Sequence, residues 1–149
     1  MSAKHADYPQ LKLTNQICHS LYSATNALVR AYRPLLDPLD LTYPQYLVML
    51  ALWEEDEVPI KRLVETTRFD SGTLTPILKR LEQKELIQLV KSDGDKRQRL
   101  IRVTETGWQR REEAANVPEG LMCQTEMTAE QALELKALSE LLYRQLVES

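Results

Sequence analysis

The sequence predicts a mainly α chain with one small β-hairpin, an α+β arrangement, and three observations carry that expectation. Apolar residues recur at three- and four-residue steps through most of the chain. Only the stretches "LIQLVKS" and "RLIRVT", at 86–92 and 99–104, switch to an alternation of period two. Four glycines in 149 residues argue against an all-β fold built on many tight turns.

The elements follow in order. Over 10–36, Leu13, Ile17, Leu21, Ala24, Leu28 and Leu35 form a helical stripe expected to face a core, with Pro34 and Pro38 ending the helix. In "LTYPQYLVMLALWEE", Thr42 and Gln45 read as a capping box, and Pro44 suits a first helical turn. From Tyr46 to Trp53 this helix is apolar nearly all round, which predicts a central, buried position. A short helix follows at about Ile60 to Thr67. In "DSGTLTPILKRLEQKELI", Asp70 or Ser71 caps a helix whose inward face is Leu74, Ile77, Leu78 and Leu81. The hairpin comes next, with Asp93, Gly94, Asp95, Lys96 and Arg97 at its tip. "ETGWQRREEAA" resumes helix, and "VPE" at 117–119 interrupts it. Thr128 and Gln131 make a second capping box, opening a last helix to about Val147.

The chain is 43% hydrophobic and 28% charged, enough for one domain with its own core. No apolar run approaches the ~18 residues of a membrane span. The opening residues lack the apolar stretch of a secretory signal, so the expected compartment is the cytoplasm. Two cysteines 105 positions apart make no metal site of the C-x-x-C kind, and neither metal nor cofactor is expected. The net charge of −3 is uneven. Residues 68–102 hold nine basic and five acidic residues, a net +4, between flanks of −2 and −5. Such clustering suggests a polyanion partner, or else a solvated face with chance grouping.

Helix, turn, helix and then a two-stranded hairpin is the order of a winged helix-turn-helix. A helix that enters a major groove buries one side on its own domain and offers the other as short hydrogen-bonding and cationic groups. Ser71, Thr73 and Thr75 can reach base edges or phosphates and Lys79 and Arg80 can meet phosphates, with Gly72 and Pro76 in the same candidate set. No acid interrupts this face before Glu82. At the hairpin tip, Asp95, Lys96 and Arg97 complete the candidate DNA-binding set, with Arg97 directed to the backbone or minor groove. The alternative is a surface helix beside a surface hairpin. One such module binds weakly, whereas two related by a twofold reach adjacent grooves. The predicted division is therefore a DNA-binding region at 40–104, with 10–36 and 105–148 as dimerisation helices, within a single domain of 149 residues.

"NQICHSLYSA", "YRPLLDPLDLTYPQYLVMLALWE", "DSGTLTPILKRLE" and "VTETG" together resemble the MarR family, over about residues 11–148. Within it they are similar to the organic-hydroperoxide-sensing repressors of the OhrR type. The resemblance implies that Cys18 is the peroxide-reactive thiol. It implies that Tyr32 and Tyr43 hydrogen-bond its sulfur across a homodimer. It further implies that Cys123 of the partner subunit closes a disulfide once Cys18 becomes a sulfenic acid. The thiolate is the reactive form, and hydroxyls donating to sulfur favour it. The implied partners are a pseudo-palindromic double-stranded operator, a second copy of the chain and an organic hydroperoxide, with no membrane. Read without the family, each cysteine is a small buried hydrophobe.

Glu85 stands where relatives carry glycine, so this helix ends with another C-cap or with Glu85 in the left-handed region. Two further functions compete with the thiol switch. One is a repressor of the same family released by a small aromatic or anionic ligand, without thiol chemistry. The other is a thiol peroxidase using Cys18, which lacks an accompanying Thr/Arg constellation and leaves the basic block without a role.

Overall fold

The computed structural model describes residues 5–95 and 97–148. Among these, seven α-helices and two strands follow in order. They are α1 (Ile17–Leu36), α2 (Tyr43–Glu54), α3 (Ile60–Thr67), α4 (Ser71–Gln83), β1 (Ile87–Lys91), β2 (Arg99–Val103), α5 (Glu105–Ala114), α6 (Val117–Met122) and α7 (Ala129–Val147). The chain forms two compact units, 1–115 and 116–149.

The first unit departs from expectation at its start. Residues Pro9–Leu11 and Leu13–Asn15 are two 3-10 turns rather than the head of the helix. The Gln16 amide donates to the carbonyls of Gln10 and Lys12 at 2.8 and 2.9 Å, and Asn15 donates to that of Pro9. Pro34 lies inside α1 instead of ending it. Its missing N–H removes one bond in the last turn, a local loss that the helix survives for two more residues. The corner itself is a 3-10 turn, Asp37–Leu39, with Pro38 in its first turn and Asp40 in the left-handed region at φ 53°. The stripe of α1 does not face this chain's core: Ile17 is 72% exposed and Leu28 41%. Only the C-terminal end packs, where Leu36 is buried.

Helix α2 matches its capping box. Thr42 Oγ1 accepts from the Gln45 N–H, and Gln45 Oε1 accepts from the Thr42 N–H at 3.1 Å. Its Tyr46, Val48, Met49 and Leu52 are buried on several sides, as an all-round apolar helix requires. Leu63 of α3 and Leu74, Leu78 and Leu81 of α4 complete this core. Strands β1 and β2 pair antiparallel, Leu89 opposite Ile101, and Val58 adds a one-residue bridge to Ile101. The inward residues Ile87, Ile101 and Val103 are buried and anchor the hairpin at its base, while Asp93, Gly94, Asp95 and Arg97 at its tip are exposed.

Helix α5 is set by Gly107. A Cβ there would collide with the Leu86 carbonyl oxygen and with Val103 Cγ1. The same glycine donates its N–H to the capping Thr104 hydroxyl and accepts Trp53 Nε1 at 3.0 Å. In the second unit, Val-Pro opens α6 instead of only interrupting a helix, because proline suits the first turn. Thr128 and Gln131 form the second capping box and start α7, which has no buried residue. Among the described residues no helix is long and apolar enough to cross a membrane.

Candidate nucleic-acid interface and thiol site

Helix α4 begins where Asp70 Oδ1 accepts the Thr73 N–H at 2.7 Å. That bond, with a second from the Thr73 hydroxyl, holds the Asp70 carboxyl below its ordinary range. The one acid at the head of the helix is thereby committed to capping. Beyond it, Ser71, Gly72, Thr73, Thr75, Pro76, Lys79 and Arg80 are all exposed, while Leu74, Leu78 and Leu81 are buried. The two faces are those the periodicity predicts. Thr75 donates its hydroxyl to the Ser71 carbonyl at 2.8 Å. Its oxygen is left as an acceptor, suited to an amino group of a base edge.

At the hairpin tip Asp95 and Arg97 are joined through the backbone. Asp95 Oδ1 accepts the Arg97 N–H at 2.9 Å, and the Asp95 carbonyl accepts from Gln98. The guanidinium of Arg97 is not the partner in that bond, and Arg97 is exposed. Lys96 lies outside the described residues. Between α3, α4 and the hairpin runs a groove of about 710 Å³, lined by Lys61, Lys79 and Arg99 with Ile60, Leu78 and Leu89. Lys61 and Arg99 were not singled out from the sequence, because nothing in their spacing ties them to Lys79. Within the basic block, Lys84 and Arg102 are ion-paired with Asp40 and Glu57.

Cys18 is the second residue of α1, whose first turn has no side-chain cap. Cys123 caps the end of α6. Both are free thiols and exposed. Tyr32 stands 14 residues after Cys18 on the same helix, about 21 Å further along its axis. There it meets Tyr43, with ring centroids 5.0 Å apart, and also Tyr46, at 5.6 Å. Burial, then the neighbouring Tyr46 and Tyr43, push the Tyr32 hydroxyl up to about 12. Burial raises Tyr43 as well, and burial with Tyr43 raises Tyr46. All three are therefore neutral hydroxyls near pH 7, able to donate. Tyr46 was read from the sequence as core; its three-residue step from Tyr43 is the signal that places both on one helix face.

The segment holding Tyr43 is stitched from outside its own helix. Lys84 Nζ donates to the Asp40 carbonyl at 2.6 Å and to Gln45 Oε1 at 2.9 Å. Arg110 of α5 donates to the adjacent Leu39 carbonyl at 2.6 Å.

Residues 30–113 match the family model described as transcriptional regulator SarA/Rot. The chain is 41% identical over 130 residues to the organic hydroperoxide resistance transcriptional regulator of Bacillus subtilis, covering 87% of this chain and 88% of that protein. It is also similar to AbfR, a protein of Staphylococcus epidermidis. Reduced AbfR bound to DNA superposes with TM-score 0.77 at 34% identity, over 92% of this chain and 94% of the other. The disulfide-formed AbfR gives TM-score 0.63 at 34% identity, over 90% and 94%.

Proposed function

Because this chain belongs to the MarR/SarA-type family of DNA-binding transcriptional regulators, which are not enzymes, we propose that it is a homodimeric repressor whose grip on an operator is released when an organic hydroperoxide oxidises Cys18. The Cys18 thiolate attacks the peroxide oxygen, the O–O bond breaks, and the departing alkoxide takes a proton to leave as an alcohol. Cys18 is then a sulfenic acid. The Cys123 thiol of a second copy attacks that sulfur, a disulfide forms and water leaves. Cellular thiols reverse the change.

The observation that carries this reading is the separation of Cys18 from Tyr32 and Tyr43. A hydroxyl cannot donate to a sulfur about 21 Å away along the same helix. Two copies with antiparallel α1 helices would bring each Cys18 to the other's tyrosines. The uncovered apolar residues of α1, and separately Leu133, Leu138 and Leu146 of α7, supply surface for such pairing. The relatives support the redox part by their names, one a hydroperoxide-resistance regulator and one solved in reduced and disulfide states. On the duplex, α4 reads the major groove and Arg97 meets the backbone beside it.

The test uses an operator duplex of about 30 base pairs, selected from a random library by the reduced protein and long enough for two half-sites one turn apart. Wild type releases it on adding cumene hydroperoxide, and Cys18→Ser holds it. A serine variant that still lets go refutes the thiol switch and favours ligand-driven release. For Cys123, a non-reducing gel after thiol consumption shows a covalent dimer in wild type and none in Cys123→Ser.

A further inference from the structure

We propose that Lys84 is a coupling residue: it ties the C-terminal end of the reading helix α4 to both flanks of Tyr43, so that a shift of the tyrosine segment reaches the DNA-facing helix. The inference rests on the thiol-switch reading above and names the positioning residue through which it acts.

The geometry is specific. One ammonium makes two hydrogen bonds and one ion pair. Its partners are the Asp40 carbonyl at 2.6 Å, Gln45 Oε1 at 2.9 Å and the Asp40 carboxylate at 3.5 Å. Asp40 and Gln45 bracket Tyr43 in the chain. Gln45 is the buried polar side chain among the described residues, and its oxygen is shared, since it also accepts the Thr42 N–H at 3.1 Å. The capping box of Thr42 and Gln45 stands by itself, and a shift of Gln45 is passed through the shared oxygen to Lys84. The Lys84 side chain is only 25% exposed, low for a lysine at a helix end.

Ending α4 does not require this ammonium. The helix closes itself, with Leu86 N–H donating to the Leu81 carbonyl and Glu85 N–H to that of Glu82. Lys84 instead reaches an element some 40 residues earlier, as its partners Asp40 and Gln45 show. The anchored segment is itself poised: Asp40 is left-handed at φ 53°, and the Leu39 carbonyl beside it is held by Arg110. From this anchor α4 runs 13 residues, about 20 Å, to Ser71, and a small tilt at one end is a larger displacement of the reading face at the other.

The test compares Lys84→Met, which keeps the stem and removes the two hydrogen bonds and the ion pair, with Lys84→Arg, which keeps charge and donors. The same selected duplex and cumene hydroperoxide are used, and Cys18 oxidation is followed by thiol titration. Lys84→Met should lose its thiol at the wild-type rate and bind the duplex as wild type when reduced. Once oxidised it should remain bound about tenfold more tightly than oxidised wild type, within the usual size of a coupling between sites. Lys84→Arg should restore release. Oxidised Lys84→Met that lets go as wild type does overturns the proposal. Wild type that keeps its DNA after Cys18 is oxidised overturns the thiol switch itself, a different result. Should Lys84→Met fail to fold, hydrogen exchange of wild type decides. Oxidation should alter protection at 42–46 and 84–86 together, and a change confined to 42–46 refutes the coupling.

Discussion

Cys18 and Tyr32 stand at opposite ends of one helix, about 21 Å apart along its axis, with Tyr43 and Tyr46 gathered at the Tyr32 end. Any hydrogen bond between that sulfur and those hydroxyls must therefore join two chains. Mixed dimers make this measurable. A Cys18→Ser subunit paired with a Tyr32→Phe, Tyr43→Phe subunit contains one complete site if the bond crosses between subunits. The single Cys18 thiol of such a heterodimer should then react as fast as wild type. No fast-reacting fraction in purified heterodimers refutes the crossed arrangement.

Arg97 is exposed at the hairpin tip, and the carboxylate of Asp95 holds its backbone rather than its guanidinium. Arg97→Ala should weaken operator binding, with the slope of log affinity against log salt reduced by about 1, one phosphate's worth. Asp95→Ala should weaken it less steeply with salt, since it acts by ordering the tip. Equal affinity of Arg97→Ala and wild type at every salt concentration removes the wing from the interface.

Glu85 adopts φ 60° as the left-handed residue that closes α4, the conformation glycine tolerates without steric cost. Glu85→Gly should stabilise the fold by about 1 kcal/mol. The readout is a higher urea midpoint with an unchanged m-value. A lower midpoint means the Glu85 side chain contributes more than its backbone strain costs.

The Tyr32 hydroxyl is raised from 10.0 to about 12 by burial and by its tyrosine neighbours. The folded chain therefore keeps a proton that the unfolded chain releases, and the sign follows. Below pH 10 both states are protonated and stability is unaffected; between about 10 and 12 the unfolded state binds fewer protons, and stability falls as pH rises. Urea midpoints should drop across that window, and Tyr32→Phe should flatten the drop. Phenolate absorbance should show tyrosines titrating above the ordinary range, Tyr32 at about 12 among them. A wild-type midpoint as pH-independent as that of Tyr32→Phe contradicts this.

The order of the main elements, the caps at Thr42 and Thr128, the start of α4 at Asp70 or Ser71, the basic block and the two faces of α4 were legible in the sequence, whereas the opening 3-10 turns and α6 were not. Each legible feature depends on residues within a turn or two of one another, and period, capping and charge are local properties. Even the departure at Glu85 was foreseeable, although which of its two escapes it took was not. The exposed stripe of α1, the gathering of Tyr32, Tyr43 and Tyr46, the groove shared by Lys61, Lys79 and Arg99, and the grip of Lys84 on Asp40 and Gln45 required the tertiary structure. A periodic pattern shows that a face is apolar without saying what covers it, and an ammonium finds its acceptors only after packing has brought together segments some 40 residues apart.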